Sequence, residues 1–471
     1  MPRILFSTLG MTDPIKNDYD GPLLHIMRHY KPEKVYLFMT QRVCELADQD
    51  DRYRIHVSKI CKKEGFICEI IELRYEDIDN PQEFDIFYPI FEKELIDIHN
   101  KNADCQILIN LSSGTPQMKS ACHLLAITTP FPVVPIQVTT PSERENYGSL
   151  EYDLENNWKN NLDNHPELEP KNRAKQVESE NLRFLFLREA AVSNIEAYNY
   201  TAALNILTVV KEFVSEDVMQ LLRAAQHRKN MELREAERES KLAKYDLFPM
   251  KSGDIKELFE YLLLLGLQQK SGQLMDFVRG ISPALSRLFE CFLEKKCQRK
   301  VKRDYCVSLD SGHWRIKRDK LKEKDPGLLS YYDEKFKPGF RDSALSCVTL
   351  LPIIEFDCGI AGRYPNEAVL EKAQDMRKVE ESIRNPAAHI ITAIKEEQFT
   401  RVAGISSKRL LRGMQWLFEY TYPHYFSSNI DAWDSYNIMN EQIIGRLKAR
   451  RIHLNLSTGN PATVVKNISL L

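Results

Sequence analysis

Arg384 and His389 stand five residues apart in the stretch Glu381-Ser-Ile-Arg-Asn-Pro-Ala-Ala-His-Ile390. A guanidinium can clamp a scissile phosphodiester and stabilise charge developing at phosphorus, while an imidazole moves protons between an attacking 2'-hydroxyl and the leaving oxygen. Neither role requires a metal. Pro386 has a fixed φ and no N–H to give, so it suits the first position of a helix, with Asn385 as N-cap before it. The sequence therefore predicts a helix start here, with Ala387 to Ile394 buried and Arg384 just outside. The free N–H groups between Arg384 and His389 would add to a cationic mouth suited to a phosphate. The same residues also suit a capping arginine and a packed histidine, so the pair alone does not separate a catalytic centre from an ordinary helix end.

Two further stretches are rich in small hydroxyl residues. One is Ser7-Thr8-Leu9-Gly10-Met11-Thr12-Asp13-Pro14, the other Asn110-Leu-Ser-Ser-Gly-Thr-Pro-Gln-Met118. The second runs from an apolar strand pattern through Gly114 into a helix opening at Pro116. Its N–H groups could cradle a phosphate while Ser112, Ser113 and Thr115 donate hydroxyls. An ordinary strand-to-helix turn, with hydroxyls capping the helix, accounts for the same residues. Neither stretch matches G-x-G-x-x-G or a P-loop, which disfavours a dinucleotide enzyme or a nucleoside triphosphatase.

The elements that must position these groups are legible as alternating patterns in the first 150 residues. Strands are predicted at Arg3–Thr8, Lys34–Met39, Phe66–Leu73, Gln106–Leu111 and Val133–Val138. Helices are predicted between them at Pro22–Tyr30, Gln41–Glu64 closed by Gly65, Pro81–Asn100 and Pro116–Thr128. This is the pattern of a Rossmann-like parallel sheet, in which ligands bind beyond the carboxyl ends of the strands. Both hydroxyl-rich loops fall there. Residues 151–175 turn polar and read as a linker. Residues 176–272 read as a helical spacer, with Leu222 to Lys244 as a charge-laced, solvent-spanning arm. Residues 273–471 mix helices with a loop-rich insert at 304–341, in which His313, Tyr331 and Tyr332 could stack on bases but more often simply pack. The segment Asn455–Pro461 echoes Asn110–Pro116, an echo read as a favoured strand-to-turn sequence recurring by coincidence.

Composition bounds the function. The chain has 471 residues, 28% of them charged, with a net charge of -2. That balance argues against an extended nonspecific nucleic-acid coat but permits a local basic groove. Candidates are Lys295, Lys296, Arg299, Lys300, Lys302 and Arg303, then Arg315, Lys317, Arg318 and Lys320, which serve equally as a solvated face. No apolar run approaches a membrane span and the N-terminus lacks a signal-peptide pattern, so a cytoplasmic location is expected. The ten cysteines show no C-x-x-C pair and no zinc spacing, so reduced thiols and no metal are expected.

An N-terminal Rossmann-like domain with the Ser-Ser-Gly-Thr-Pro loop, a helical spacer and a C-terminal helical domain with Arg-Asn-Pro-Ala-Ala-His resemble the CARF-HEPN ribonucleases of type III-A, Csm-associated CRISPR-Cas systems. The resemblance implies an α/β plus all-α chain: a CARF sensor at 1–150 and a HEPN ribonuclease domain at 273–471. It further implies a homodimer, no cofactor, and an allosteric activator that is a cyclic oligoadenylate, hexa-adenylate favoured over tetra-adenylate. The substrate would be single-stranded RNA, cut without a metal to a 2',3'-cyclic phosphate, with no membrane and no stable DNA binding. Residue by residue, it assigns Arg384 to phosphate binding, His389 to proton transfer and Asn385 to positioning. It assigns Ser112, Ser113, Gly114 and Thr115 to the activator, with Asn110 in the same loop and Thr8, Thr12 and Asp13 as weaker matches. Thr115 would also help degrade the activator slowly. A nucleotide-sensing protein that binds RNA or regulates without catalysis is the alternative. A transcription regulator would need a helix-turn-helix with a basic recognition helix, and none is evident.

Overall fold

The computed structural model describes residues 1–141, 152–165, 171–177, 180–251, 253–309, 312–359, 362–389, 394–426 and 431–449, without the side chains of residues 180, 254 and 384–389. The chain divides into two compact units, 1–187 and 188–471.

The first unit is built on a six-stranded sheet. Its strands are β1 (Arg3–Thr8), β4 (Lys34–Thr40), β5 (Glu69–Tyr75), β6 (Gln106–Asn110), β7 (Val133–Val138) and β8 (Ala174–Gln176), with a small hairpin of β2 (Ile15–Lys16) and β3 (Tyr19–Asp20) set apart. The spatial order is β5-β4-β1-β6-β7-β8, all neighbours parallel except the β7–β8 pair. Alternate residues of the central strands enter opposite cores: Leu5, Leu37 and Leu108 on one face, Ile4, Phe6, Phe38 and Ile109 on the other. Burial on both faces explains why these strands read as continuous apolar runs. The helices are α1 (Pro22–Tyr30), α2 (Gln41–Asp50), α3 (Arg52–Glu64), α4 (Phe87–Lys101), α5 (Pro116–Thr128) and α6 (Leu154–Asn160).

Three expectations change here. The helix expected over Gln41–Glu64 is two, broken at Asp51, which takes φ +51 and ends α2 in the left-handed conformation. The helix expected from Pro81 begins only at Phe87. The polar stretch expected to be a linker is instead part of the unit. It forms α6, places Asn161 and Asp163 in the interior, and adds β8 to the sheet edge. Its polar residues satisfy one another and Asp20, which hides a folded segment behind a linker composition.

α7 (Glu180–Glu196) leads on to a helical unit. It contains α8 (Tyr200–Thr208), α9 (Glu216–Lys229), α10 (Leu233–Leu242), α11 (Gly253–Lys270), α12 (Leu274–Lys295), α13 (Val301–Tyr305), α14 (Arg318–Lys324), α15 (Pro326–Lys335), α16 (Cys347–Cys358), α17 (Glu367–His389), α18 (Glu396–Ala403), α19 (Ser407–Thr421) and α20 (Ser435–Ala449). The apolar face of α12 packs on α11, α16, α17 and α19. The charge-laced stretch Leu222 to Lys244 is not a solvent-spanning arm. It is α9 turning at Met231 into α10, and its Arg228 is fully buried in a bidentate pair with Glu260 at 2.7 and 2.9 Å. The insert holds β9 (Cys306–Ser308) and β10 (Trp314–Ile316), which form a three-stranded antiparallel sheet with β11 (Ser343–Ala344) just beyond it. Among the described residues no helix is long and apolar enough to cross a membrane.

Candidate functional site

In the first unit the two hydroxyl-rich loops meet at the carboxyl ends of β1 and β6, adjacent central strands where the order of the sheet reverses. The meeting is backbone on backbone. A Cβ on Gly10 would lie 2.8 Å from the Gly114 nitrogen, and Gly114 itself takes φ +85 with Thr8 Oγ1 where a Cβ would sit. Both positions therefore require glycine.

Most of the predicted ligand groups are spent on building these loops. Thr8 Oγ1 donates to the Ser113 carbonyl at 2.7 Å. Asn110 Nδ2 donates to Ser7 Oγ and Ser113 Oγ, and all four residues Ser7, Thr8, Asn110 and Ser113 are fully buried. Thr115 caps α5 by accepting from the Met118 N–H and donates its own hydroxyl to the Pro81 carbonyl at 2.8 Å. Asp13 accepts from the N–H groups of Leu23 and Gly10 at 3.0 and 3.2 Å, which ties its loop to the start of α1. Burial pushes its carboxyl up to about 6, against the lowering effect of those bonds.

Of the predicted ligand residues, Thr12 and Ser112 line the adjoining cleft, which has a volume of about 310 Å³. Its other polar lining includes Lys16, Tyr19, Lys119 and Arg173, none of them predicted. Lys119 lies one turn into α5, so the spacing from Thr115 could have flagged it. Arg173 could not have been found without the fold, because it belongs to the segment that read as a linker.

Arg173 is fixed by a buried network. Its Nη2 donates to Asp163 Oδ2 at 2.7 Å and to the Asp20 carbonyl at 3.2 Å, and its backbone N–H donates to His25 Nε2 at 2.9 Å. Asp20 in turn is held by Arg28 through Nε at 2.7 Å and Nη2 at 3.1 Å. Burial and the neighbouring Arg173 hold the His25 imidazole neutral, its pKa lowered to about 2. Asp20, His25 and Asp163 are the one described group with the donor set of a cation site. Two guanidinium groups, two backbone N–H groups and the Asn161 amide already occupy its lone pairs, a poor fit for an ion.

In the second unit α17 carries both Arg384 and His389 on its backbone. This corrects the expected helix start: the helix runs through Pro386 rather than beginning there, so Asn385 is not its N-cap. The mouth of free N–H groups is therefore absent. Proline inside a helix is costly, but packing overrides it repeatedly in this unit, at Pro283 in α12 and Pro352 in α16. Five helical residues advance about 7.5 Å along the axis. The side chains of Arg384, Asn385 and His389 lie outside the described residues, as does the whole segment Asn455–Pro461.

One turn before Arg384, Glu380 is buried. It accepts from Ser282 Oγ at 2.5 Å and from Arg377. Half of the proposed basic track is neutralised: Arg299 is buried between Asp357 and Asp325, Lys302 pairs with Glu290, Arg303 with Asp304, Lys317 with Asp342, and Arg318 with Asp333. Tyr332 is core, its hydroxyl donating to the Thr349 carbonyl, and Tyr331 donates to Glu355 at 3.1 Å.

Three family models match the chain: the Cas_Csm6 CARF domain at 67–174, the CRISPR-associated protein Csm6 6H domain at 177–229 and the Cas_Csm6 HEPN domain at 247–444. The chain is 28% identical to the CRISPR system endoribonuclease Csm6 of Mycobacterium tuberculosis over 87% of this chain and 92% of that protein. It is 32% identical to the CRISPR system endoribonuclease Csm6 of Enterococcus italicus over 45% of this chain and 49% of that one. The solved structure of Enterococcus italicus Csm6 bound to cyclic hexa-2'-fluoro-hexa-dAMP shares the fold, with a TM-score of 0.72 at 20% identity, over 95% of this chain and 100% of that chain.

Proposed function

The chain belongs to the Csm6 family of CRISPR-associated CARF-HEPN endoribonucleases, and from that premise we propose that a cyclic oligoadenylate bound at the CARF cleft switches on RNA cleavage at Arg384 and His389. The observation that carries the reading is the cleft at the reversal point of the sheet, lined by hydroxyls and cations, in a chain whose HEPN-matched segment contains the Arg-x4-His motif. The Enterococcus italicus relative holds a six-membered cyclic analogue, which favours cyclic hexa-adenylate over tetra-adenylate here.

In the proposed mechanism Arg384 binds the scissile phosphate and stabilises the charge of the pentacoordinate transition state. His389 moves the proton from the 2'-hydroxyl or to the 5'-leaving oxygen, and Asn385 positions the phosphate. The products are a 2',3'-cyclic phosphate and a 5'-hydroxyl, and the chemistry runs without a metal. Buried Glu380, one turn earlier on α17, supports the register of that helix. The active species is a homodimer in which the two motifs share one cleft. Thr115 helps the CARF domain degrade the activator slowly, for which its hydroxyl must leave the Pro81 carbonyl.

The test is cleavage of single-stranded RNA in EDTA with no addition or with cyclic tri-, tetra- or hexa-adenylate, alongside His389→Ala. Activation by one ring, lost in the variant, is expected. Cleavage that persists in His389→Ala, or that needs added metal, would sink the mechanism. An activator that stays intact on prolonged incubation with His389→Ala protein removes the Thr115 step alone.

A further inference from the structure

The groups that the loop motif brings to the cleft are few. Thr8, Asn110, Ser113 and Thr115 direct their side chains into protein partners, and Asp13 is an acceptor. A cyclic oligoadenylate is a polyanion with one phosphate per nucleotide, and Thr12 supplies a hydroxyl but no charge, while the Ser112 hydroxyl accepts from the Val138 N–H at 2.8 Å and donates to the Val138 carbonyl at 3.3 Å. Binding it in this cleft therefore requires cations from other segments.

The cleft supplies them in Lys16, Lys119 and Arg173, of which Lys16 is the exposed one. Lys119 lines it from α5 and has no ion-pair partner among the described residues. Arg173 lines it from the returning segment and is held still: its Nη2 is committed to Asp163 and the Asp20 carbonyl, while Nη1 also reaches the Thr139 carbonyl at 3.3 Å. A guanidinium has five N–H donors. Its Nε–H and one Nη1 hydrogen have no partner among the described residues, so it can add a phosphate without giving up its anchors. The acidic member of the lining, Asp20, is already neutralised by Arg28. The Tyr19 ring beside Arg173, 5.6 Å from the guanidinium carbon, adds a flat face to the same wall.

We propose that Lys119 and Arg173 are phosphate-binding residues of the sensor cleft, so that the site is completed by α5 and by the returning segment 171–176 and not by the two strand-end loops alone. This rests on the reading of the cleft as the activator site. Arg173 acts as a rigid donor set in place before the ligand arrives, and Lys119 as a mobile charge that closes on it.

The test is direct binding of cyclic hexa-adenylate and cyclic tetra-adenylate to the full-length protein by calorimetry at two salt concentrations. Lys119→Ala, Lys119→Arg and Arg173→Lys are compared with Lys159→Ala, which removes a cation of the same unit outside the cleft. Lys119→Ala is expected to weaken binding about tenfold or more and to flatten its salt dependence. Lys119→Arg should restore most of the loss, and the activator concentration for half-maximal RNA cleavage should move in step. Arg173→Lys, which keeps the charge but not the fork, should weaken binding as well. Lys159→Ala should bind as wild type. Wild-type affinity and salt dependence in both Lys119→Ala and Arg173→Lys would overturn the inference while leaving the activator reading intact. Failure of the wild-type protein to bind either ring removes the activator reading and this inference together.

Discussion

Asp13 shows how far a residue's type can be read without its surroundings. Its place in a strand-end loop marks it for a ligand, yet the carboxylate is buried and faces the Leu23 and Gly10 N–H groups. It positions the loop instead. A carboxyl whose pKa is higher in the folded chain than in the unfolded one binds its proton more tightly when folded. Its contribution to stability is therefore complete below the unfolded value of 3.8 and is lost as pH rises through about 6. Between about pH 4 and about pH 7 the wild type should lose about 2 kcal/mol relative to Asp13→Asn. Unfolding of the two proteins measured across that range checks it, and a constant difference would contradict the burial argument. Arg299 teaches the same lesson for charge: from sequence it belongs to a basic run, and only the fold reveals Asp325 and Asp357 against it.

At the scale of elements, legibility followed burial. β1 was readable to its end residues because five of its six residues are buried between parallel neighbours. β8 was not, since Ala174-Lys-Gln176 is an edge strand whose pairing is made by backbone groups alone. The continuous course of α17 through Pro386 was missed because Asn385-Pro386 is a local start signal, whereas the helix already begins at Glu367. This gives a direct test. In a continuous helix Pro386→Ala restores a backbone hydrogen bond and should raise stability, by up to about 3 kcal/mol. At a true first helical turn the same change would be neutral or harmful. The junction of the two loops yields a second test. Gly10→Ala and Gly114→Ala should each weaken activator binding, because each pushes one loop off the other. Their double variant should lose less than the sum, since the same junction is opened once. Strict additivity would show that the loops respond independently.

For the molecule as a whole, the proposed composite cleft makes a quantitative statement. Equal amounts of wild-type and His389→Ala protein, allowed to exchange subunits, would leave about a quarter of the dimers with two intact motifs. If both histidines serve one centre, activated RNA cleavage falls to about a quarter; independent centres would retain about half. The basic run of 295–320 is weaker than its composition suggests, since Arg299, Lys302, Arg303, Lys317 and Arg318 meet carboxylates of their own unit.

The returning segment has one more consequence. Arg173 in the cleft wall is followed at once by β8, and β8 ends only three residues before α7 begins. With three residues between them, Gln176 and Glu180 can stand at most about 14 Å apart when the chain is fully drawn out. The wall of the sensor is therefore on a short leash to the first helix beyond it. A loose tether would let the edge strand shift unnoticed, whereas here any larger displacement must haul that helix along.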